Sequence, residues 1–285
     1  MSAGTSIHSR NRFKTYQSSP NNIPGLVLLL DSSVGVTASA GAVSSWADVT
    51  TGRGTELIQG VSELRPSVGV SLNGKPTIRF SRDYLYCADF TKFNLGTNSL
   101  LMYVVCSLDS GGTAARTSFI SGKFGHLNYP TGTTNGVGRY YIGKDNNNYV
   151  YGAYWTNSLF NGYDTIANFS TAYKIYMLSL QRVSTGTMTN GLYVHGRAAM
   201  TTTASDNKGN WAPNIPFCVG APCKQDGTLY TSLNDIAVNS STREFMAGNV
   251  AEVGLFQRDF LFRRDEITLI NQYLVRKWGL SALSA

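Results

Sequence analysis

Paired carboxylates are one source of catalytic chemistry that this 285-residue chain could encode. Retaining glycosidases place two carboxylates about 5 Å apart, which a strand supplies from alternate positions on one face. Within the strand-like runs no glutamate has such a partner; the five are Glu56, Glu63, Glu244, Glu252 and Glu266. Alternation along residues 249–257 predicts that Glu252 faces away from Ala251 and Val253. We assign no catalytic residue and expect that the chain is not an enzyme.

Two other kinds of catalytic site also lack support in the sequence. A polysaccharide lyase needs a Tyr or His base with an Arg or Gln that neutralises a uronate. The candidates are His126, His195, Arg139 and Gln181, which no motif groups together. We interpret His195 as a strand residue and His126 as a loop residue. A Ser/His/Asp site is equally unsupported because no G-x-S-x-G nucleophile elbow occurs.

An aromatic segment, "RYYIGKDNNNYVYGAYW" (139–155), is the best candidate for ligand binding. It is predicted to form a β-hairpin, and Tyr and Trp beside Asn and Asp can form a platform for the apolar faces of sugars. The alternative is that half of these residues belong to the core and half are ordinary surface strand residues. The candidate carbohydrate-binding residues are Tyr140, Tyr149, Tyr151, Tyr154 and Trp155.

The sequence predicts no metal and no cofactor. "KDNNN" (144–148) and "ASDNKGN" (204–210) offer oxygen ligands of the kind that calcium takes. Asp and Asn are, however, favoured in turns for their hydrogen bonds to the backbone alone. Asp48 is expected to hold the turn that follows Trp46. Cys87 and Cys106 lie in apolar runs, where a free cysteine behaves as a small hydrophobe.

The net charge of +7 suits an anionic partner, whether an acidic protein surface, an anionic glycan or nucleic acid. Nucleic acid is disfavoured because no recognised binding module or basic helix occurs. Residues 1–22 are polar and basic, and we predict an arm whose Arg10, Arg12 and Lys14 dock on an acidic neighbouring subunit. The arm lacks the apolar core of a secretory signal, and no run approaches the length of a membrane span. We therefore expect folding in a cytoplasm.

Short strand-like runs separated by turn residues fill the chain from Pro24 onward. With no helix predicted between them, they indicate an all-β, two-sheet antiparallel sandwich. The ten runs are 25–31, 76–81, 99–109, 117–124, 138–144, 148–155, 173–183, 191–197, 216–222 and 249–257.

The last segment has a helical period. Ile267, Ile270, Leu274 and Trp278 form one stripe, and Gly279 is placed to end the helix. A lone helix of this length is marginal in water, so its stripe must pack on the sandwich. It is predicted to cover apolar surface that the sheets leave open.

Four segments occur in a recognisable order: "VSSWADVTTGRG" (43–54), "NGKPTIRFS" (73–81), "GLYVHGR" (191–197), and "NVAEVGLFQRDF" with "RRDEITLINQYLVRKWGL" (249–280). Together they resemble the concanavalin A-like lectin/glucanase jelly roll, in its laminin-G-like variety, over about residues 24 to 280. The resemblance implies an antiparallel jelly roll and a structural Glu252 that bonds a basic or backbone donor across the sheet. It also implies a bacteriophage or bacterial surface setting.

Three positions depart from the family's pattern. Thr51 stands where Ser is usual, His195 where Asn is common, and Phe262 where Ser would cap the last helix. The lost cap predicts a frayed helix start, with Arg263 and Arg264 in an unfavourable first turn that Asp265 and Glu266 partly offset.

These observations predict one jelly-roll domain over residues 23–285, preceded by the arm over residues 1–22. The preferred function is a non-enzymatic virion structural or interaction protein, a bacteriophage capsid decoration or fibre-associated subunit made in the host bacterial cytoplasm. Its expected partners are other virion proteins, capsid or tail subunits, and further copies of itself, with no membrane. The alternative is a lectin-like module that recognises host-surface glycans. A glycanase or polysaccharide lyase ranks third.

Overall fold

A computed structural model describes most of the chain. The described residues are 19–50, 54–87, 99–109, 117–123, 139–144, 150–156, 159–161, 171–184, 187–205, 216–221, 229–239, 245–258 and 261–281. None of the helices in these ranges is long and apolar enough to span a membrane.

The strands of the described ranges number seventeen, and every strand pair is antiparallel. In chain order they are β1 (Leu26–Asp31), β2 (Val36–Ser39), β3 (Ala42–Ala47), β4 (Glu56–Ile58), β5 (Ser67–Val68), β6 (Ile78–Ser81), β7 (Leu85–Cys87), β8 (Ser99–Leu108), β9 (Thr117–Lys123), β10 (Arg139–Lys144), β11 (Val150–Thr156), β12 (Leu159–Asn161), β13 (Lys174–Ser184), β14 (Thr187–Val194), β15 (Arg197–Ser205), β16 (Phe217–Val219) and β17 (Ala247–Arg258). The helices are α1 (Leu233–Asn239), α2 (Arg264–Trp278) and two short 3-10 turns, Pro20–Asn22 and Ser62–Leu64.

The strands form two layers, as predicted. In the first, called the helix-side sheet, β1 and β6 share one edge of β17, and β8, β13, β14 and β15 follow in that order. In the second, called the opposite sheet, the order is β2, β3, β4, β7, β16, β9, β10, β11, β12. Strand β5 pairs with both β3 and β6 and so links the two layers.

A central core lies between the two sheets. Leu28, Met102 and Val253 enter it from the helix-side sheet, and Trp46 and Phe217 enter it from the opposite sheet. Strand β8 is buried along its whole length because its alternate residues face a second apolar cluster on the outside. This explains why "SLLMYVVCSL" reads as a continuous apolar run.

Helix α2 covers the outer face of the helix-side sheet. Its predicted stripe is confirmed, since Ile267, Ile270, Leu274 and Trp278 are all at most 1% exposed. These side chains form the second cluster together with Tyr103 and other residues that point outward from the sheet. Helix α2 therefore gives the helix-side sheet a buried face on each side.

The two ends of α2 are held differently. Gly279 ends the helix as predicted, with a φ of +62°. The frayed start predicted from Phe262 is wrong. Glu266 accepts a bond from the Arg263 backbone N–H at 2.8 Å, and Arg258 at the end of β17 binds both Glu266 oxygens at 2.9 and 2.5 Å. The Arg258 guanidinium lowers the pKa of Glu266, so its carboxylate replaces the missing Ser cap.

Gly254 in β17 lets Tyr103 reach across the sheet towards the helix. A Cβ added at Gly254 would overlap the Tyr103 ring. We expect Gly254→Ala to lower the free energy of unfolding by about 1 to 3 kcal/mol, the usual cost of overpacking a core. Urea denaturation measures it. Gly60→Ala is the matched control, because nothing lies within 4 Å of a Cβ there. Equal stability of the two variants would show that Tyr103 can move aside freely.

A third cluster covers the opposite sheet. Tyr84, Cys218, Tyr230, Ile236 and Phe245 are buried together on its outer face. Ile236 comes from α1, a helix that contradicts the prediction of no helix between strands. The Ser232 hydroxyl accepts a bond from the Asp235 backbone N–H at 2.9 Å at its start. At seven residues, α1 is too short to show a helical period.

The three described cysteines, Cys87, Cys106 and Cys218, are buried thiols that form no disulfide. Cys87 and Cys106 lie in the central core, which confirms their predicted role as small hydrophobes. Burial raises the pKa of Cys106, so its thiol stays protonated.

Candidate functional site

Glu252 is fully buried in β17 beneath helix α2. Its Oε1 accepts a bond from the Tyr103 hydroxyl at 2.8 Å. Its Oε2 accepts bonds from Trp278 Nε1 at 2.8 Å and from Lys277 Nζ at 2.5 Å. The basic donor implied by the resemblance is therefore Lys277. All three partners donate, so Glu252 acts as an ionised acceptor.

A bulge in β17 sets the direction of Glu252. The register with β8 shifts between Val250 and Glu252. Ala251 consequently belongs to the helix-side cluster, on the same face as Glu252, whereas Val253 points into the central core. The predicted alternation was right for Val253 and wrong for Ala251, because a bulge inserts one extra residue on a face.

Lys277 joins Glu252 to a second carboxylate. Its Nζ lies 2.6 Å from Asp31 Oδ2 and 2.9 Å from the Tyr273 hydroxyl. Burial raises the pKa of Glu252, and Lys277 opposes this effect. Burial lowers the pKa of Lys277, but Glu252 and Asp31 outweigh it, so the net shift is upward.

These contacts define the buried polar cluster, which consists of Asp31, Tyr103, Glu252, Tyr273, Lys277 and Trp278. Its two carboxylates meet on one ammonium group rather than on opposite sides of an open space. A sugar could not enter between them without displacing Lys277. The arrangement holds the C-terminal turn of α2 against β1 and β17.

Asp48 joins the edge of β1 to the turn after Trp46 through hydrogen bonds. Its Oδ1 accepts bonds from the backbone N–H groups of Leu29 and Thr50, each at 2.9 Å. Its Oδ2 accepts a bond from the Thr50 hydroxyl at 2.6 Å. These bonds confirm the role predicted for Asp48 in the turn after Trp46.

The four lyase candidates do not form one site in the described residues. His195 lies in the tight turn between β14 and β15, with a φ of +49°, so its interpretation as a strand residue is wrong. Burial, aided by Lys174, lowers the pKa of His195 to about 4. Gln181 lies at the far end of the same hairpin, opposite Thr189. Arg139 begins β10 in the other sheet, and His126 lies outside the described residues.

The aromatic segment does form a hairpin. Strands β10 and β11 pair over six consecutive positions, with Tyr140 opposite Tyr154 and Arg139 opposite Trp155. Strand β9 continues the sheet on one side, with Arg139 opposite Lys123, and β12 on the other, with Trp155 opposite Phe160. Of the candidate carbohydrate-binding residues, Tyr149 lies outside the described residues.

Neighbouring residues of known burial show which face of the opposite sheet each hairpin position occupies. Ile142, Phe217 and Val219 are in the central core, whereas Cys218 belongs to the cluster on the outer face. Since strand positions alternate between faces, positions 140 and 154 share the core face with Ile142.

Positions 139, 151 and 155 lie on the outer face. The register therefore divides the candidate set, with Tyr151 and Trp155 on the outer side and Tyr140 and Tyr154 on the core side. Whether any of them binds a sugar stays a prediction.

Two pairings of residues distant in sequence were not predicted from the sequence, that of Lys123 with Arg139 and that of Lys277 with Asp31. Lys123 ends β9 and Arg139 begins β10, so a hairpin alignment of "TSFISGK" with "RYYIGK" would have placed them together. The bond from Lys277 to Asp31 joins residues 246 positions apart, and no local pattern indicates it.

The arm residues Arg10, Arg12 and Lys14 lie outside the described residues, so their docking role and the virion setting stay predictions. In the described part of the chain, no group of three or more His, Cys, Asp or Glu residues could hold a metal ion.

No protein-family model and no curated protein matches the chain. Solved structures share its fold. A GH54 α-L-arabinofuranosidase is 11% identical at a TM-score of 0.53, over 89% of this chain and 63% of that one. The binding domain of Paraclostridial Mosquitocidal Protein 1 is 8% identical, with a TM-score of 0.51, and the match covers 87% of this chain and 52% of that one. Trypanosoma rangeli sialidase in complex with sialic acid is 14% identical, with a TM-score of 0.50, and the match covers 89% of this chain and 33% of that one.

The chain thus spans from 33% to 63% of the length of these three chains. At such low identity the likeness shows the fold alone, a β-sandwich. The prediction that the chain is not an enzyme is wrong, because chains with this fold include a sialidase and an arabinofuranosidase. The three structures show no link to a bacteriophage.

Proposed function

We propose that this protein is a carbohydrate-binding module whose binding surface is the outer face of β9 to β12. The observation that carries the proposal is the register of the β10–β11 hairpin, which places positions 151 and 155 on the side away from the central core. Tyr and Trp at such positions suit the apolar C–H faces of sugars. The buried polar cluster lies in the other layer, between the helix-side sheet and α2.

The fold comparison supports the proposal. One structure with this fold is a sialidase in complex with sialic acid, and another is an arabinofuranosidase. Both names are those of enzymes that act on sugars, so a β-sandwich of this kind can be part of a protein that binds glycans. The proposal concerns binding alone, and it depends on Tyr151 and Trp155 of this chain.

Trp155→Ala tests the proposed surface. We expect the wild-type protein to bind a subset of glycans on an array, and we expect the variant to bind them about tenfold more weakly or worse, as when a central aromatic contact is truncated. Leu269→Ala is the matched control, because Leu269 is 40% exposed on α2 and far from the hairpin in sequence. Circular dichroism verifies that both variants fold. A blank array with folded wild-type protein would rule out the proposed function.

A further inference from the structure

The turn between β14 and β15 packs directly against helix α2. His195 and Gly196 form this turn, with φ angles of +49° and +75°. The His195 backbone N–H donates to the Ile175 carbonyl at 2.9 Å. A Cβ added at Gly196 would lie 2.8 Å from Cγ of Asn271, which is on α2. Only glycine therefore fits between the turn and the helix.

The imidazole of His195 is buried at this contact, with 8% of the residue exposed. Position 195 follows Val194 of the central core and continues the register opposite Ile175, which belongs to the cluster beneath α2. It therefore lies on the helix side of the sheet. Among the described residues, His195 Nδ1 and Asn271 Oδ1 have no hydrogen-bond partner although both atoms are buried. The contact thus leaves polar atoms of both partners unsatisfied.

Protonation of His195 would place a charge at this contact. A neutral imidazole has one nitrogen without a proton, whereas the protonated form donates from both. Burial is the main cause that lowers the pKa of His195 from 6.5 to about 4, and the ammonium group of Lys174 on β13 adds to it. The facing groups of the other elements are Asn271 of α2 and Tyr193 of β14, which are uncharged, and the nearby Arg197 is also basic. The surroundings therefore favour the neutral imidazole.

We propose that His195 is an acid-sensitive latch: the β14–β15 turn stays in contact with α2 while the imidazole is neutral and separates from the helix when the imidazole takes up a proton. The inference does not depend on glycan binding. The rest of α2 keeps its anchors, because Lys277 and Trp278 bind Glu252 at the other end of the helix.

The direction of the pH effect follows from the lowered pKa. Above pH 6.5 the imidazole is neutral whether the turn is closed or open, and the contact is intact. As the pH falls from 6.5 towards 4, the open turn binds the proton more tightly than the closed turn. The closed form should therefore become about tenfold less favoured for each pH unit in this window. Histidine is the residue whose ordinary titration range makes such a response possible.

NMR titration of the histidines and amide hydrogen exchange test the latch. The imidazole signal that His195→Asn removes should titrate clearly below the ordinary 6.5. Between pH 7 and about pH 4.5, the backbone amide of residue 195 should lose up to about a hundredfold of its protection, after correction for the pH dependence of exchange in an unfolded chain. The amide of Val253 in β17 is the internal reference and should keep its protection.

His195→Asn is the matched variant, because asparagine also tolerates a positive φ but does not titrate. Its amide at position 195 should be equally protected at both pH values. Titration of His195 at 6.5 would overturn the inference, and so would equal acceleration of exchange in the wild type and in His195→Asn. The titration of the wild type decides the question even if the variant does not fold.

Discussion

Lys277→Met is expected to lower the free energy of unfolding by about 3 to 5 kcal/mol, the usual result of removing one partner from a buried ion pair. The substitution keeps most of the aliphatic length but leaves the fully buried carboxylate of Glu252 without its cation. Asp31 would keep its bonds from the Ser33 backbone N–H and hydroxyl, at 2.9 and 2.7 Å. The main cost therefore falls on Glu252. Urea denaturation at pH 7 measures it.

The variant should also respond to pH in a characteristic way. Burial raises the pKa of Glu252 above its ordinary value of 4.5, and Lys277 is the main group that opposes this. Without Lys277 the pKa of Glu252 in the folded protein should rise still further above that of the unfolded chain, so the folded variant binds this proton more tightly than the wild type does. Stability of the variant should then rise as pH falls from the raised folded pKa towards 4.5.

A double variant is the control for this prediction. Glu252→Gln combined with Lys277→Met removes both charges, and it should be more stable at pH 7 than Lys277→Met alone. If the single variant is as stable as the wild type, or its stability does not change with pH, Glu252 does not depend on Lys277 for neutralisation.

Trp278→Ala is the second substitution with a large expected effect. Trp278 is 0% exposed and packs among the residues that α2 shares with the helix-side sheet. Truncating a buried Trp costs about 3 to 5 kcal/mol, through lost burial and the cavity that remains. It also deprives Glu252 of the bond from Nε1. We expect amide hydrogen exchange in α2 to accelerate more than exchange in β8, because the helix loses its anchor first.

Trp278→Phe separates the two contributions. Phenylalanine fills much of the space but cannot donate a bond to Glu252, so the loss should be smaller than for alanine. Because Trp278 and Lys277 share Glu252, their effects should not add in a combined variant. Uniform acceleration of exchange in α2 and β8 by Trp278→Ala would show that the helix and the sheet unfold as one unit.

Periodic features of the sequence predicted the framework well. The stripe from Ile267 to Trp278 and the stop at Gly279 follow from the helical period and from glycine's tolerance of positive φ. Each of the ten predicted strand runs overlaps a strand of the structure. Strand β15, "RAAMTTTAS", escaped prediction because its Ala and Thr residues show no alternation of apolar and polar positions.

Features that depend on distant or irregular pairing could not be predicted in the same way. The bulge at Ala251 reverses a face assignment that simple alternation makes, and nothing in "NVAEVG" indicates it. Arg258 and Glu266 replace a cap that a search for Ser or Thr cannot find. The division of the aromatic hairpin between two faces required the positions of Ile142 and Phe217 as a reference.

The position of strand β17 in the sheet affects when the chain can fold during its synthesis. It lies between β1 and β8, both synthesised well over a hundred residues earlier. At typical rates of translation, β8 would wait on the order of ten to thirty seconds for this neighbour. During that interval the nascent polypeptide exposes an apolar strand edge that a chaperone could shield. Co-translational folding must therefore remain incomplete until residue 258 has left the exit tunnel.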